Sequence, residues 1–432
     1  MNPADPYCRL VRDSGHGALA VLRCLGAAQL PRLGAWCLQT ITTLPDNRKN
    51  AAGYRDLRLL GPESGPAGAN ASSTAEPPAP RWQWQWPRSN AAERIGVFLG
   101  LNRILGDPRF LAAARHYADA FFDPVYGLYD GPEEEGRGQV YYWAEAGFYM
   151  TNYTMRVPPY FLQLHEATGD CRYRDAALMA GEALLRMQQE NGILCEGFIP
   201  RHPVACDCPR DPDETANWVT NYKINSRIGW CVYAFAVLFR HTGDARYAAA
   251  LEKLSYALMR FQNPDGSFPQ DLALRRYRPI SPVVKNHFQG YILNGVAQTL
   301  RLYPDTPHLA AVGRKLTSYV VANHRRSWGW PYGNINGAEV QEPGGWRSSG
   351  AEVALGLKVM SDVTGDHVFR ESAAKLLVQA MFNALDMPEA PDLDGAVPMW
   401  YKPGDNCGQA APSLDGYYHF HAVLALLEML AE

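Results

Sequence analysis

The sequence lacks a long hydrophobic run. No apolar stretch reaches the roughly 18–20 residues that a membrane-spanning helix requires, and the first residues lack a basic start, a long apolar centre and a small-residue cleavage site. The protein is therefore expected to be cytoplasmic, or periplasmic if a leader has been removed. No membrane partner is expected.

A strong excess of charge of one sign is also missing. The 432 residues carry 41 Lys and Arg against 44 Asp and Glu, which gives a formal net charge of −3 at pH 7. A balanced charge creates no broad positive field that would attract phosphate backbones. No nucleic-acid partner is expected, and no cofactor is predicted.

Cysteine is sparse, and four of the nine cysteines, Cys24, Cys37, Cys171 and Cys231, lie in helical patterns as small apolar residues. One Pro-rich loop differs, because it collects four soft ligands within fourteen residues: Cys195, His202, Cys206 and Cys208. This group could hold a structural zinc ion. The C-x-C spacing is not that of a zinc-finger knuckle, so reduced thiols are the preferred interpretation and no metal site is predicted.

What the sequence does contain is a repeated turn. The stretches "LGDPRF", "ATGDCRY", "HTGDARY", "YPDTPHL" and "VTGDHVF" place aspartates at positions 107, 170, 244, 305 and 366, a nearly fixed period that is typical of a repeat protein. Each turn separates two helical patterns, so the repeating unit is a helical hairpin. Gly should end the first helix in a left-handed cap, and Asp or Thr should cap the second.

The two helices of each hairpin differ in polarity. The first is the more apolar, as in "GWCVYAFAVLF", whereas the second carries charges on one side, as in "EKLSYALMR". First helices should therefore lie inside and second helices outside. The predicted fold is an all-α (α/α)6 toroid, with a partial seventh hairpin as a possibility. Residues 1–60 should supply N-terminal helices that close the ring, 61–80 a flexible linker, and 81–432 the catalytic toroid.

Long connections lead from each second helix to the next first helix, and all should emerge where the inner helices begin, walling a common pocket. Their aromatic rings suit the apolar faces of sugars, and the predicted platforms are Trp143, Trp218, Trp346, Tyr332 and Tyr401. Their cationic side chains favour anions at the helix starts: Lys223, Arg227, Lys285, Arg347 and Lys402. The sequence therefore predicts an anionic carbohydrate substrate that carries carboxylates.

Two segments resemble the unsaturated glucuronyl hydrolases. "NSRIGWCVYAFAVLFRHTGDARY" is similar to the segment around their Arg-Gly-Gln-x-Trp motif, and "AEAGFYM" to the segment with a catalytic Asp before Gly-Phe. The resemblance implies a six-hairpin toroid and a carboxylic acid that protonates the bond or the substrate double bond. Here Glu145 takes the place of the Asp, and the spacing from Arg227 to Trp230 is one residue short.

A third segment, "KNHFQGY", resembles the Asn-His…Tyr signature of toroid lyases that cleave alginate and related polyuronates. His287 and Tyr291 are four residues apart, so they share one face of a helix. The resemblance implies β-elimination, in which the substrate carboxylate is neutralised, the C5 proton is abstracted and the departing O4 is protonated. The implied roles are neutralisation by Asn225 or Asn286 with Arg347, abstraction by His287 and donation by Tyr291.

The predicted function is a lyase acting on uronate-containing poly- or oligosaccharides, with a glycoside hydrolase of the glucuronyl hydrolase type as the alternative. A third possibility is a scaffold or prenyl-cyclase relative, suggested by "QNPDGSF" at 262–268. The chain lacks an acidic DxDD motif, and the predicted cleft is too charged for a hydrocarbon.

Overall fold

The repeats form a helical ring in the computed structural model, which describes most of the helices and parts of the connections. The described residues are 17–39, 56–60, 81–85, 92–122, 127–133, 136–143, 148–194, 197–198, 218–219, 224–269, 272–273, 278–279, 283–324, 333–335, 338–340, 346–347, 350–382, 400–401, 413–414 and 416–431. None of the described helices is long and apolar enough to cross a membrane.

Twelve long helices alternate between an outer and an inner layer within these residues. The outer helices are α1 (Ala18–Gln39), α3 (Pro108–Asp119), α6 (Cys171–Met187), α8 (Ala245–Phe261), α10 (Pro307–His324) and α12 (His367–Phe382). The inner helices are α2 (Glu93–Leu105), α5 (Val157–Thr168), α7 (Ile224–Thr242), α9 (Asn286–Leu302), α11 (Gly350–Thr364) and α13 (Gly416–Leu430). A four-residue helix, α4 (Thr151–Thr154), precedes α5, and a short 3-10 helix (Ala120–Phe122) follows α3.

The repeated turn works as the sequence predicts. Four inner helices end at a glycine with φ between 67° and 74°, a conformation that only glycine adopts without strain: Gly106, Gly169, Gly243 and Gly365. The aspartate that follows caps the next outer helix, as when the Asp244 carboxylate accepts the Arg246 backbone N–H at 2.9 Å. The threonine has a different role from the predicted cap. The Thr242 hydroxyl donates to the Leu238 carbonyl and accepts the Asp244 N–H, which ties the end of one helix to the start of the next.

The six inner helices form a closed circuit, in which each packs against the next and α13 packs against α2. The first and last helices make the sixth hairpin, because α1 lies against both α12 and α13. Specific contacts fix this closure. The Glu371 carboxylate accepts the Ala18 backbone N–H at 2.9 Å, and a ring nitrogen of His419 lies 3.3 Å from the Leu33 carbonyl oxygen. The fold is thus the predicted (α/α)6 toroid.

Short strands lie in the connections. They are β1 (Asp56–Leu60), β2 (Arg81–Gln85), β3 (Tyr141–Trp143), β4 (Phe148–Met150), β5 (Gly197–Phe198), β6 (Trp218–Val219), β7 (Leu272–Ala273), β8 (Arg278–Pro279), β9 (Val283–Lys285), β10 (Gly333–Ile335), β11 (Ala338–Val340), β12 (Trp346–Arg347), β13 (Trp400–Tyr401) and β14 (Ser413–Leu414). All described pairings are antiparallel, in the orders β14-β1-β2, β11-β10-β9, β12-β13, β3-β4-β5-β6 and β7-β8.

These strands join neighbouring connections on the side of the ring where the inner helices begin. The β3–β6 sheet combines the connection before α5 with the one before α7, and β10 pairs with β9 across the start of α9. Strand β14 pairs with β1, which links the connection before α13 to the one before α2. The long connections therefore meet at one end of the ring, which we call the front.

The "QNPDGSF" segment is a structural tie. The Gln262 side-chain amide donates to the Gly266 carbonyl at 2.9 Å and to the Val312 carbonyl at 3.0 Å, so it fastens the end of α8 to the neighbouring helix α10. Gln188 does the same one hairpin earlier, with bonds to the Gly192 and Ala250 carbonyls. A repeated structural bond explains this segment without any relation to prenyl cyclases.

Candidate functional site

A buried cluster occupies the ring axis near the front, with one side chain from each of the six inner repeats. None of these side chains exposes more than 5% of its surface. The six residues are Glu93, Arg156, Trp230, Tyr291, Glu352 and His421. We call this set the axial cluster.

The repeat register places the axial cluster. Five of its members lie fourteen residues before the aspartate of the turn that follows them, from Glu93 before Asp107 to Glu352 before Asp366. Because the hairpins superimpose around the ring, equivalent positions meet at the axis. Glu93 and Glu352 lie in the first turns of α2 and α11. A carboxylate is stabilised there by the positive end of the helix dipole.

Ion pairs connect four members of the axial cluster. Glu93 Oε1 lies 2.9 Å from Arg156 Nη1 and 3.2 Å from His421 Nε2. The other ring nitrogen of the histidine, Nδ1, lies 2.7 Å from Glu352 Oε1. Two carboxylates and two cations thus compensate one another, which buried charges require.

The electrostatics keep both sides of this network charged. Burial alone would lower the pKa of His421, but Glu352 and Glu93 outweigh burial and raise the pKa to about 9. Burial likewise opposes ionisation of Glu93, yet Arg156 and His421 hold its pKa below the usual value. At neutral pH His421 is an imidazolium and Glu93 a carboxylate.

Tyr291 packs among these charges from helix α9. The Arg156 guanidinium lies 5.5 Å from the centroid of the Tyr291 ring, a cation–π distance, and the His421 ring meets the Tyr291 ring edge-on at 6.2 Å. Of the predicted catalytic residues, Tyr291 is the one whose side chain is described. It lies beside two positive charges on the ring axis.

A second histidine on α13 has the opposite character. His419 is fully buried beside the Trp36 ring, with the ring centroids 4.2 Å apart, and its pKa falls to about 3 because burial disfavours its charge. His419 faces the outer helix α1, whereas His421, two residues on, faces the axis. Helix α13 therefore carries one neutral and one charged imidazole, two residues apart and on different sides.

Two buried polar groups, one within the axial cluster and one on the helix that carries Tyr291, have no hydrogen-bond partner among the described residues. They are the Trp230 indole N–H and the side-chain amide of Asn294, each about 1% exposed. Unpaired buried donors and acceptors are costly in a folded protein and usually belong to functional sites or to water positions. Asn294 lies three residues after Tyr291 on the same helix.

The predicted site residues fall into three groups. The backbones of Asn225, Arg227, Asn286 and His287 lie at the front ends of α7 and α9, Lys285 ends strand β9, and nothing is described of the side chains of these residues. Strand pairing sets Trp346 opposite Tyr401 and Arg347 opposite Trp400, while Trp143 and Trp218 lie in the four-stranded sheet. Outside the described residues lie Glu145, Lys223, Tyr332, Lys402, Cys195, His202, Cys206 and Cys208.

Metal ligation receives no support from the described part of the chain. No group of three or more His, Cys, Asp or Glu is arranged there to hold an ion. In the axial cluster both ring nitrogens of His421 face carboxylates, and such a protonated imidazole has no lone pair for a metal. The predicted zinc alternative concerns residues outside the described ranges.

Trp230 entered the sequence analysis only through its spacing from Arg227, and sequence reasoning missed the four charged or titratable members of the axial cluster that remain beside Tyr291: Glu93, Arg156, Glu352 and His421. Each is a charged or titratable residue at or near the start of an apolar helix, as in "SSGAEVALGLKVM" around Glu352. The register of the repeat was the available signal, because reading fourteen residues back from each turn aspartate reaches five of the six positions. His421 lies beyond the last turn, and that rule does not reach it.

No family model and no curated protein matches the chain. Solved structures with the same architecture do resemble it. A cellobiose 2-epimerase from Spirochaeta thermophila DSM 6192 superimposes with a TM-score of 0.66 at 17% identity, over 98% of both chains. An unsaturated glucuronyl hydrolase specific for heparin gives 0.60 at 11% identity, over 95% of this chain and 96% of that one. A polysaccharide lyase gives 0.56 at 14%, over 79% and 89%. At these identities the likeness establishes the toroid fold.

Proposed function

We propose that the protein is a carbohydrate-active enzyme that cleaves uronate-containing poly- or oligosaccharides by β-elimination. The observation that carries this proposal is the setting of Tyr291, which packs on the ring axis against Arg156 and His421. β-Elimination builds negative charge on the uronate as the C5 proton leaves. Arg156 and His421 are paired with Glu93 and Glu352, so the axial cluster is a set of fixed dipoles rather than a net positive charge. Fixed dipoles near the reacting atoms can stabilise such a transition state.

The proposed reaction uses residues at the front of α9. His287, one helical turn before Tyr291, takes the C5 proton. The C4–O4 bond then breaks as the C4–C5 double bond forms, and Tyr291 gives its proton to the departing O4. Asn225 or Asn286, together with Arg347, neutralises the carboxylate so that C5–H becomes acidic.

The substrate is expected to be an anionic carbohydrate because of the charges in the connections. Lys223, Arg227, Lys285 and Lys402 would pair with carboxylates along the chain, and Arg347 could hold one in a two-point contact. Trp143, Trp218, Trp346, Tyr332 and Tyr401 are the proposed platforms for the sugar rings.

The glucuronyl hydrolase alternative needs a carboxylic acid that can donate a proton. Glu93 is a poor donor, because it is buried, ion-paired and held ionised by Arg156 and His421. Glu352 is buried against His421. A hydrolase would therefore depend on Glu145. The full-length likeness to a heparin-specific glucuronyl hydrolase supports keeping this alternative.

A second candidate is a sugar 2-epimerase, favoured by the superposition of a cellobiose 2-epimerase over 98% of both chains. Epimerisation at C2 of an aldose and elimination from a uronate both begin with removal of a proton from the carbon next to a carbonyl or carboxyl group. The same front-end base would serve both reactions, and the two differ in substrate and in the fate of the carbanion.

Three assays on the purified protein separate these reactions. A lyase creates ultraviolet absorbance from polyuronates, because it forms a conjugated C4–C5 double bond. A glucuronyl hydrolase removes that absorbance from unsaturated oligosaccharides. An epimerase incorporates deuterium from D2O into a neutral disaccharide without any change in absorbance. The lyase proposal fails if a panel of alginate, glucuronan and heparin-type polymers gives no absorbance increase while either other assay is positive.

A further inference from the structure

A cavity opens on the ring axis at the end opposite the front, where the inner helices finish. Its volume is about 460 Å³, and all six inner helices contribute to its lining. Its inner wall is formed by Tyr160, Tyr233, Leu355 and Leu424, which lie about one turn further along their helices than the axial cluster. We call this cavity the rear pocket.

The repeat register also supplies the polar lining of the rear pocket. Gln163 and Gln298 each lie seven residues before the aspartate of the turn that follows. Arg103 and Arg301 each lie four residues before such an aspartate. With Asn102 these amides and guanidinium groups offer hydrogen bonds from several sides. The inner helices also end on this side, and Arg103 and Arg301 lie in the last turns of α2 and α9, where a cation opposes the negative end of the helix dipole.

The charge of the rear pocket is uneven. Arg301 is neutralised by Glu428, with Nη1 2.8 Å from Oε1. Arg103 also lines the pocket, and no carboxylate contacts it within the described ranges. Among the described residues, the lining thus holds one arginine without a carboxylate partner, beside amides, two phenols and leucine side chains.

We propose that the rear pocket binds a small hydroxylated carboxylate of monosaccharide size. The carboxylate pairs with Arg103, the hydroxyls bond the amides of Asn102, Gln163 and Gln298, and an apolar sugar face packs on Tyr233 and the leucines. The volume lies within the range of small-molecule sites, roughly 300–1,000 Å³. This proposal rests on the lining alone and holds whichever reaction the front performs.

The rear pocket is separate from the front site. The axial cluster and the Tyr160–Tyr233 layer fill the axis between them, and the side chains of that layer are buried or half-buried. A ligand in the rear pocket therefore does not compete for the front residues. It therefore adds one bound ligand per protein chain to those bound at the front.

The test is titration calorimetry of the full chain with glucuronate. Ala167 is exposed at the mouth of the rear pocket, so Ala167→Phe should block it without disturbing the core. We expect this variant to lose one binding equivalent and to keep the catalytic activity of the parent protein. Glu166→Phe places the same ring on the neighbouring exposed residue, which does not line the pocket, and should bind as the parent does.

Arg103→Ala tests the chemistry of the ligand. Removal of one charge-assisted contact should weaken glucuronate binding at this site about tenfold, while the affinity for uncharged glucose should not change. The proposal is overturned if the parent protein shows no equivalent that Ala167→Phe removes, or if Arg103→Ala changes both sugars alike. Thermal unfolding of each variant verifies that it is folded.

Discussion

The same repeat builds the front and the rear of the ring axis, but the ion pairs are buried at the front and partly exposed to solvent at the rear. At the front, Glu93, Arg156, Glu352 and His421 expose at most 2% of their surfaces and neutralise one another. At the rear, the Arg301–Glu428 pair is partly exposed, at 37% and 23% of the two side chains. The difference shows that a repeat register fixes which positions face the axis, whereas the residue at each position decides the chemistry.

This difference has an energetic meaning. A buried ion network is costly to disrupt, because removal of one partner leaves a charge without water or a counterion. A solvated pair contributes little, since water competes for both ions. Variants at the two ends should therefore differ widely in their effects.

The largest effect is expected on catalysis at the front. If the reaction is β-elimination, His287→Ala removes the base and should lower kcat by roughly 10²–10⁴, the range typical of general acid–base catalysis. Substrate affinity should change little, and Glu145→Gln should be mild. Steady-state kinetics on a polyuronate would measure both.

His367→Ala, on an exposed outer-helix residue, is the matched control and should be unchanged. An active His287→Ala enzyme together with an inactive Glu145→Gln enzyme would move the acid to Glu145 and support hydrolysis. Arg347→Ala should raise KM in either case, because it removes a partner of the substrate carboxylate.

The next effect is on folding stability. Arg156→Met keeps the bulk of the side chain but leaves Glu93 with only one cation, and should lower the free energy of unfolding by about 3–5 kcal/mol. Urea denaturation at neutral pH would measure this. Arg103→Met, at the rear, should cost no more than about 0.5 kcal/mol. Equal costs for the two variants would contradict the dependence of the axial cluster on its compensated charges.

A third effect is a pH dependence that two histidines of α13 give with opposite signs. The pKa of His421 is about 9 in the folded protein against 6.5 for the free side chain, so its stabilisation is complete below pH 6.5 and is lost as the pH rises to 9. That loss amounts to about 3 kcal/mol. Unfolding free energies measured across this range should fall, and His421→Gln should flatten the slope.

His419 supplies the comparison for that slope. Its folded pKa of about 3 lies below 6.5, so its contribution is present above pH 6.5 and is lost as the pH falls toward 3. His419→Gln should leave the alkaline slope intact. A protein whose alkaline slope survives His421→Gln would require another titrating group.

A similarly small effect on stability is expected at the rear rim. Glu428→Gln removes a partly exposed ion pair and should cost less than about 1 kcal/mol. The same change should increase the net positive charge of the rear pocket, since Arg301 is released. Calorimetry should then show tighter glucuronate binding. Weaker binding would mean that Glu428 itself accepts hydrogen bonds from the ligand.

The fold could be predicted because the sequence repeats the same helical-hairpin pattern several times. The Gly–Asp turns, such as Gly243–Asp244, act locally through a left-handed cap and a side-chain hydrogen bond. A few residues of sequence are therefore enough to recognise where one helix ends and the next begins. The inner and outer layers followed from the polarity of the paired helices. Repetition made each weak local signal strong.

The candidate site was harder to predict because it depends on contacts between distant repeats. Tyr291 was predicted as a site residue from a local motif, whereas the ion pair of Arg156 joins it to Glu93, 63 residues earlier in the chain. In the sequence alone, a single charged residue before an apolar segment cannot be told from the first residue of an ordinary helix. The roles of Tyr291, His287, Arg347 and Glu145 stay predictions, and the variants above can test those of the last three.

The pairing of α1 with α13 gives the ring a particular order of assembly during synthesis. The contact between His419 and the Leu33 carbonyl spans 386 residues, so α1 leaves the ribosome long before its partner exists. At ordinary translation rates that interval is about 20–80 s. During it the apolar side of α1 has no α13 to cover it, so we expect this helix to depend on protection by a chaperone until α13 is made.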